Sequence, residues 1–185
     1  MTTTEQDELL RALRDPDRQE RAYGRLVKTY GPLLHRHLSR MLPSAGDTDD
    51  VLQDTLVKAY RNLGRFRGES KLSTWLYHIA TNEALSWLRS SKRRAQRFTS
   101  LGLAEETGFQ PVAEPFVNAD EIQRKLRRAI TELPDKQRAV FLLRYYEEMP
   151  YREISEITGT SEGALKASYH LAAKKIEQKI KAYAT

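Results

Sequence analysis

The chain has 185 residues, enough for one medium domain or two small ones, and its 31 Lys and Arg against 25 Asp and Glu leave a net charge of +6, a balance that points to a polyanionic partner. With no cysteine, disulfides, thiolate zinc sites, cysteine nucleophiles and thiol redox sensing are excluded. No stretch approaches the apolar length needed to cross a bilayer, and the opening MTTTEQDELLRALRD is polar and acidic with no signal core, so we expect a cytoplasmic protein without membrane insertion.

Gly and Pro are scarce outside a few places and long stretches run free of breakers, a composition that favours all-α structure. Leu9, Leu10 and Leu13 begin a short amphipathic helix that stops near Asp15-Pro16-Asp17, with Asp17 placed to cap the next. That second helix carries Ala22, Leu26, Val27 and Tyr30, is expected to kink or break at Gly31-Pro32, and resumes with Leu33, Leu34, Leu38, Met41 and Leu42. His35 and His37 lie two residues apart, on different helix faces; without partner ligands they read as solvent-facing or phosphate-near side chains, not a metal site. After a loop over Ser44-Ala45-Gly46-Asp47, the acids of Asp47-Thr48-Asp49-Asp50 sit at the positive end of a third helix. Its buried stripe is expected to be Val51, Leu52, Thr55, Leu56, Ala59, Tyr60 and Leu63. The opposite face shows Asp50, Gln53, Asp54, Val57, Lys58 and Arg61. Capping accounts for Asp47 and Asp49 but leaves Gln53 and Asp54 as exposed acceptors with no local task.

The segment from Phe66 to Arg94 is the most concentrated in the chain. Leu72, Leu76, Ile79, Ala80, Ala84, Trp87 and Leu88 recur at three-to-four spacing, which predicts an amphipathic helix from Leu72 to about Arg89 with Ser70 as its cap. The other stripe steps through Trp75, His78, Asn82, Ser86 and Arg89. Cations flank it: Arg65, Arg67 and Lys71 in the preceding loop around Gly68, and Lys92, Arg93, Arg94 and Arg97 behind. Phosphate contacts position a nucleic acid without reading it. Aromatic faces, with Asn or Ser beside them, can also stack on and read a base that has left the duplex.

Beyond Arg97 the helical period dissolves. Gly102, Gly108, Pro111 and Pro115 mark a flexible linker over 98–118, dividing a domain over 1–97 from one over 119–185. In the second, Ile122, Leu126, Ala129, Ile130 and Leu133 give one helix; Asp135 is expected to cap another, with Ala139, Val140, Leu142 and Leu143 inside. Tyr151 to Ile157 forms a short helix, Thr158-Gly159-Thr160 a tight turn, and Ser161 caps a long helix through Ile180 that packs with Leu165, Tyr169, Ala172, Ala173 and Ile176. Short helix, glycine turn and long helix compose a helix-turn-helix, whose exposed Lys166, His170, Lys174 and Lys181 suit a duplex groove.

Three stretches carry a family resemblance. FRGESKLSTWLYHIATN resembles the promoter-opening segment of bacterial RNA polymerase sigma factors of the extracytoplasmic-function type; DTDDVLQDTLVKAY resembles their helix that docks on the clamp coiled coil of the largest polymerase subunit; and ELPDKQRAVFLLRYYEE followed by YREISEITGTSEGALKASYH resembles their −35-reading domain. The resemblance implies that Asp50, Gln53 and Asp54 contact core polymerase. It implies that Arg65, Phe66, Arg67, Lys71, Trp75, His78, Asn82 and Arg89 take the −10 element, and that Ser161, Glu162, Gly163, Lys166, Ala167, His170, Leu171 and Lys174 take the −35 element. It implies core RNA polymerase and promoter DNA as partners, an anti-sigma protein as a further one, and no cofactor, metal or catalysis of the chain's own. Ser86 and Leu171 depart from it, standing where the family often has Asp and Arg. A helix-turn-helix regulator that binds duplex DNA without polymerase is the alternative reading.

Overall fold

The structure, a computed structural model, describes residues 3–100 and 121–183, the side chains of residues 3, 4, 65, 98 and 99 excepted. From 101 onward the expected linker lies outside the described residues. Among the described residues the chain forms eight α-helices and no strand: α1 (Thr3–Arg14), α2 (Gln19–Met41), α3 (Ala45–Asn62), α4 (Leu72–Ser100), α5 (Glu121–Thr131), α6 (Asp135–Tyr145), α7 (Tyr151–Thr158) and α8 (Glu162–Ala182), with one 3₁₀ turn over Leu63–Arg65.

The first four helices wrap a core in which Leu26, Leu34, Leu38, Met41, Leu42, Leu72 and Leu76 are wholly buried. Each such side chain contributes about 1.5–3 kcal/mol relative to exposure. That sum explains why, of the kink or break expected at Gly31-Pro32, the break does not occur: α2 runs through it. The proline costs roughly 3 kcal/mol in a helix interior, less than Leu34, Leu38 and Met41 supply by packing beyond it on α3 and α4.

Helix ends differ from expectation by a few residues, each for a local reason. The N-cap of α2 is Arg18, without a side-chain bond, because the Asp17 backbone N–H donates to the Asp15 carboxylate instead (3.1 Å). Helix α3 begins two residues early: Ser44 caps it by accepting from the Asp47 N–H at 3.1 Å, and its hydroxyl donates to the Asp47 carboxylate at 2.5 Å. At α4 the Lys71 carbonyl takes the first helical bond, from the Trp75 N–H at 3.1 Å, which puts the cap position on Lys71 and not Ser70. The helix continues past Arg89 to Ser100, because KRRAQR is rich in good helix formers even though it buries little. Asp135 lies inside α6, whose N-cap is Pro134.

Helices α5 to α8 bury Leu142, Leu143, Ile154, Ile157 and Leu165, which join the buried side chains of the first four helices in one continuous cluster. Glu132 ties α5 to the end of α8, accepting from Tyr183 at 2.7 Å and from Lys179, and these partners hold its carboxyl below the usual range. In α3, Val51, Thr55 and Ala59 are buried as expected, but Tyr60 is 44% exposed, its ring packed edge-on to Tyr23 at 4.8 Å. The two halves touch, α7 lying along α4 and α6 against α2 and α4.

Candidate nucleic-acid interface

The polar stripe of α4 forms as the periodicity requires: His78, Asn82, Ser86 and Arg89 are exposed and Trp75 is half-buried. In front of it the loop turns at Gly68, whose φ of +80° belongs to the left-handed region that glycine enters without strain. Arg14 pins the loop by donating to the Phe66 carbonyl at 2.9 Å. Arg67 is exposed and pairs loosely with Glu69 (3.8 Å); the side chain of Arg65 lies outside the described residues.

Phe66 sits deeper than its neighbours in the loop. Expected as a contact for DNA, it is only 6% exposed, its ring 5.2 Å from that of Trp75. An apolar ring beside an apolar core gains more by burial than by waiting in water, so Phe66 props Trp75 and offers no free face of its own.

The histidines separate as well. His35 is half-buried and 3.3 Å from Asp49 on α3. His37 does not face solvent: it is completely buried between α2 and α4, its Nε2 at 3.1 Å from Thr81 Oγ1 and its ring edge-on to Tyr77 at 5.2 Å. Burial, helped by nearby Arg40, lowers its pKa to about 3, so the ring is neutral.

On α3 the acids divide by task. Asp47 accepts from the capping Ser44 hydroxyl and Asp49 faces His35. Asp50, Gln53 and Asp54 share an exposed face with no partner inside the chain among the described residues, which makes them available to a second protein. No group of three or more His, Cys, Asp or Glu able to hold a metal occurs among the described residues.

The helix-turn-helix is built as its sequence demands. Helix α7 ends at Gly159, φ +64° and ψ 20°, whose N–H returns to the Ser155 carbonyl at 2.9 Å. Ser161 then caps α8, accepting from the Ala164 N–H at 3.4 Å. Glu162, Gly163, Lys166, Ala167, His170, Leu171 and Lys174 all face solvent, Leu171 at 50% exposure, while Leu165, Ala172 and Ile176 anchor the inner side.

A third face of α4 was not anticipated. Thr74, Tyr77 and Thr81 are buried, and their three-then-four spacing is the signal that could have revealed it. Tyr77 donates to Glu147 of the second half at 2.6 Å, and Thr74 and Lys71 both donate to Glu153, at 3.0 and 2.6 Å. Burial and the bond to Glu147 push the Tyr77 phenol well above its ordinary value. Lys71 is thus the one expected −10 contact among the described side chains that already holds a partner across the halves.

An exposed aromatic and amide stripe flanked by cations, together with a helix-turn-helix, defines a two-part helical protein that binds DNA. Comparison with known proteins makes this specific. The Sigma-70 region 2 family matches residues 26–94 and the Sigma-70, region 4 family matches residues 123–176. The ECF RNA polymerase sigma-E factors of Salmonella typhimurium LT2 and Escherichia coli K12 are each 33% identical over 171 residues, covering 87% of this chain and 87% of theirs. The RNA polymerase sigma factor YlaC of Bacillus subtilis is 32% identical over 151 residues, 80% of this chain and 85% of that one. Among solved structures, the sigma factor RpoE of Bartonella quintana, in complex with the anti-sigma factor NepR, shares the fold at a TM-score of 0.69 and 23% identity over 86% of this chain and 96% of that one. CnrH, solved with the cytosolic domain of CnrY, does so at 0.67 and 23% over 96% and 97%. The chain belongs to the sigma-70 family, as an RNA polymerase sigma factor of the extracytoplasmic-function type that acts in promoter recognition. No helix among the described residues is long and apolar enough to cross a membrane.

Proposed function

We propose a division of labour for promoter recognition. Asp50, Gln53 and Asp54 tie the domain over 1–97 to core polymerase. Arg67 and Lys71, with Arg65, bring the −10 strand to α4, where Trp75, His78, Asn82 and Arg89 hold bases that have left the stack. The domain over 119–185 sets Lys166, Ala167, His170 and their neighbours in the major groove of the −35 element, and the stretch that follows α4 links the two. Unstacking costs a few kcal/mol per base, and stacking worth roughly 1–3 kcal/mol per base, plus edge hydrogen bonds, offsets it. Opening therefore needs no nucleotide hydrolysis by this chain; RNA synthesis belongs to the partner enzyme, in the cytoplasm.

The observation that carries this reading is the joint exposure of the Asp50, Gln53 and Asp54 face on α3 and the His78, Asn82 and Arg89 stripe on α4, the helix packed beside it. Neither face has a structural task. The Bartonella relative was solved with an anti-sigma factor, and by analogy an anti-sigma protein restrains this chain too.

The test is run-off transcription with core polymerase, followed by sequencing of transcript starts. Defined starts with shared upstream elements are expected, and Asn82→Ala should cut output by about 5- to 100-fold, matching 1–3 kcal/mol lost at one base. Tight binding of the chain alone to a two-fold symmetric duplex, with no core-dependent RNA, would favour a conventional helix-turn-helix regulator.

A further inference from the structure

The outer face of α8 divides into two lanes. Lys166, His170 and Lys174 step by four residues along one, and all three are exposed. Ala164, Ala167 and Leu171 step by three and then four along the other, and they are exposed as well. Leu171 is 50% exposed, while Leu165, Ala172 and Ile176 are buried on the inner side of the same helix. Lys166 leans toward α7, its Nζ 5.8 Å from the Tyr151 ring centroid, which starts the cationic lane on the α7 side and leaves the apolar lane uncovered.

Two lanes call for two kinds of contact. Phosphates and the polar edges of bases suit the cations. An apolar side chain set against either would strip water from oxygen or nitrogen without returning a hydrogen bond, which is unfavourable. The major groove carries one apolar group on its bases, the ring methyl of thymine. Side chains on a helix slant toward its N-terminus, so Leu171 covers the turn that Ala167 begins and does not reach for the far rim of the groove. That turn lies in the N-terminal half of α8, the part of a recognition helix that meets base edges.

We propose that Ala167 and Leu171 form a thymine-reading patch: in the −35 element Leu171 packs on the ring methyl of a thymine, and Ala167 is small enough to let that base approach. The patch rests on the reading of α8 as the −35-binding helix, and it adds the chemistry by which one base is chosen. Lys166, His170 and Lys174 serve phosphates and polar base edges. The apolar lane discriminates against cytosine, guanine and adenine, which present no methyl in the groove. Burial of one methyl is worth about 4-fold in affinity.

The test uses the full chain assembled with core polymerase, on a promoter located by its transcript starts. Deoxyuridine pairs as thymidine does but lacks the methyl; it replaces thymidine at one position at a time in either strand of the −35 element, and affinity is measured by competition. At the position the patch reads, the replacement should weaken wild-type binding about 4-fold. Leu171→Ala should bind the thymidine probe at least as weakly as the wild type binds the deoxyuridine one, and should no longer distinguish the two. Because Leu171 is half exposed, that variant should melt at the wild-type temperature. Lys174→Ala should lower affinity for both probes alike and keep their ratio. A deoxyuridine penalty absent from the wild type at every position, or undiminished in Leu171→Ala, overturns the patch while the promoter reading stands. Weakened binding of Leu171→Ala to core polymerase, with the penalty retained, would make Leu171 a protein contact and overturn the patch too. No core-dependent RNA from any template would remove the promoter reading itself, and the patch with it.

Discussion

At the residue scale, the surface acids of α3 teach the most about what a carboxylate is for. Asp47 and Asp49 are consumed by a cap and by His35, whereas Asp54 has neither. Asp54→Lys should therefore leave the melting temperature nearly unchanged but weaken binding to core polymerase by about tenfold or more, as measured by competition against a labelled sigma factor. His37 behaves oppositely, with a purely internal role. Its folded pKa of about 3 lies below the ordinary 6.5, so the unfolded chain takes up a proton first as pH falls. The stability this neutral ring contributes is complete above about pH 6.5 and is lost progressively toward pH 3. Urea titrations at pH 7 and 5 should differ by ~2 kcal/mol from this group alone, and His37→Gln should flatten that part of the difference.

At the scale of elements, periodicity located every helix, and errors gathered at ends and breakers. Cap positions fell to Arg18, Ser44 and Lys71, a residue or a few away from the expected Asp17, Asp47 and Ser70, because which residue precedes the first helical bond depends on the path by which the chain enters the helix. Pro32 failed to break α2 because long-range packing outweighs a local penalty. The turn of the helix-turn-helix was legible because only glycine meets its requirement cheaply. An added Cβ at Gly159 meets nothing within 4 Å, so Gly159→Ala is penalised by its φ of +64° alone. The expected loss is about 1–2 kcal/mol, read as a melting temperature lower by about 2–8 °C, with weaker binding to a −35 duplex as α8 shifts against α7.

At the scale of the whole molecule, the two surfaces proposed for one polyanion carry locally more positive charge than the net +6 suggests, because part of the acid is taken up in ion pairs such as Lys71–Glu153 and Lys92–Asp135. Binding to promoter DNA in the presence of core polymerase should fall steeply with salt, losing at least 100-fold between 50 and 200 mM NaCl if about six phosphates are contacted in all. A shallow dependence would mean that the cations flanking α4 and lining α8 do not reach the backbone.

How much of this was readable beforehand divides along one physical line. Helical class, the buried stripe of each helix, the helix-turn-helix, and the exposed stripes holding Asp54, Asn82 and Lys166 follow from side-chain spacing, since burial against a neighbour imposes a 3.6-residue period whoever the neighbour is. Sequence alone also carried the family, through runs long enough to name each surface. The burial of Phe66 and His37 and the pairing of Lys71 and Tyr77 with Glu153 and Glu147 were decided only in three dimensions. A contact between residues 70 to 82 positions apart leaves no local period, and a carboxylate that meets its cation across two domains looks, in the chain, like any solvated acid.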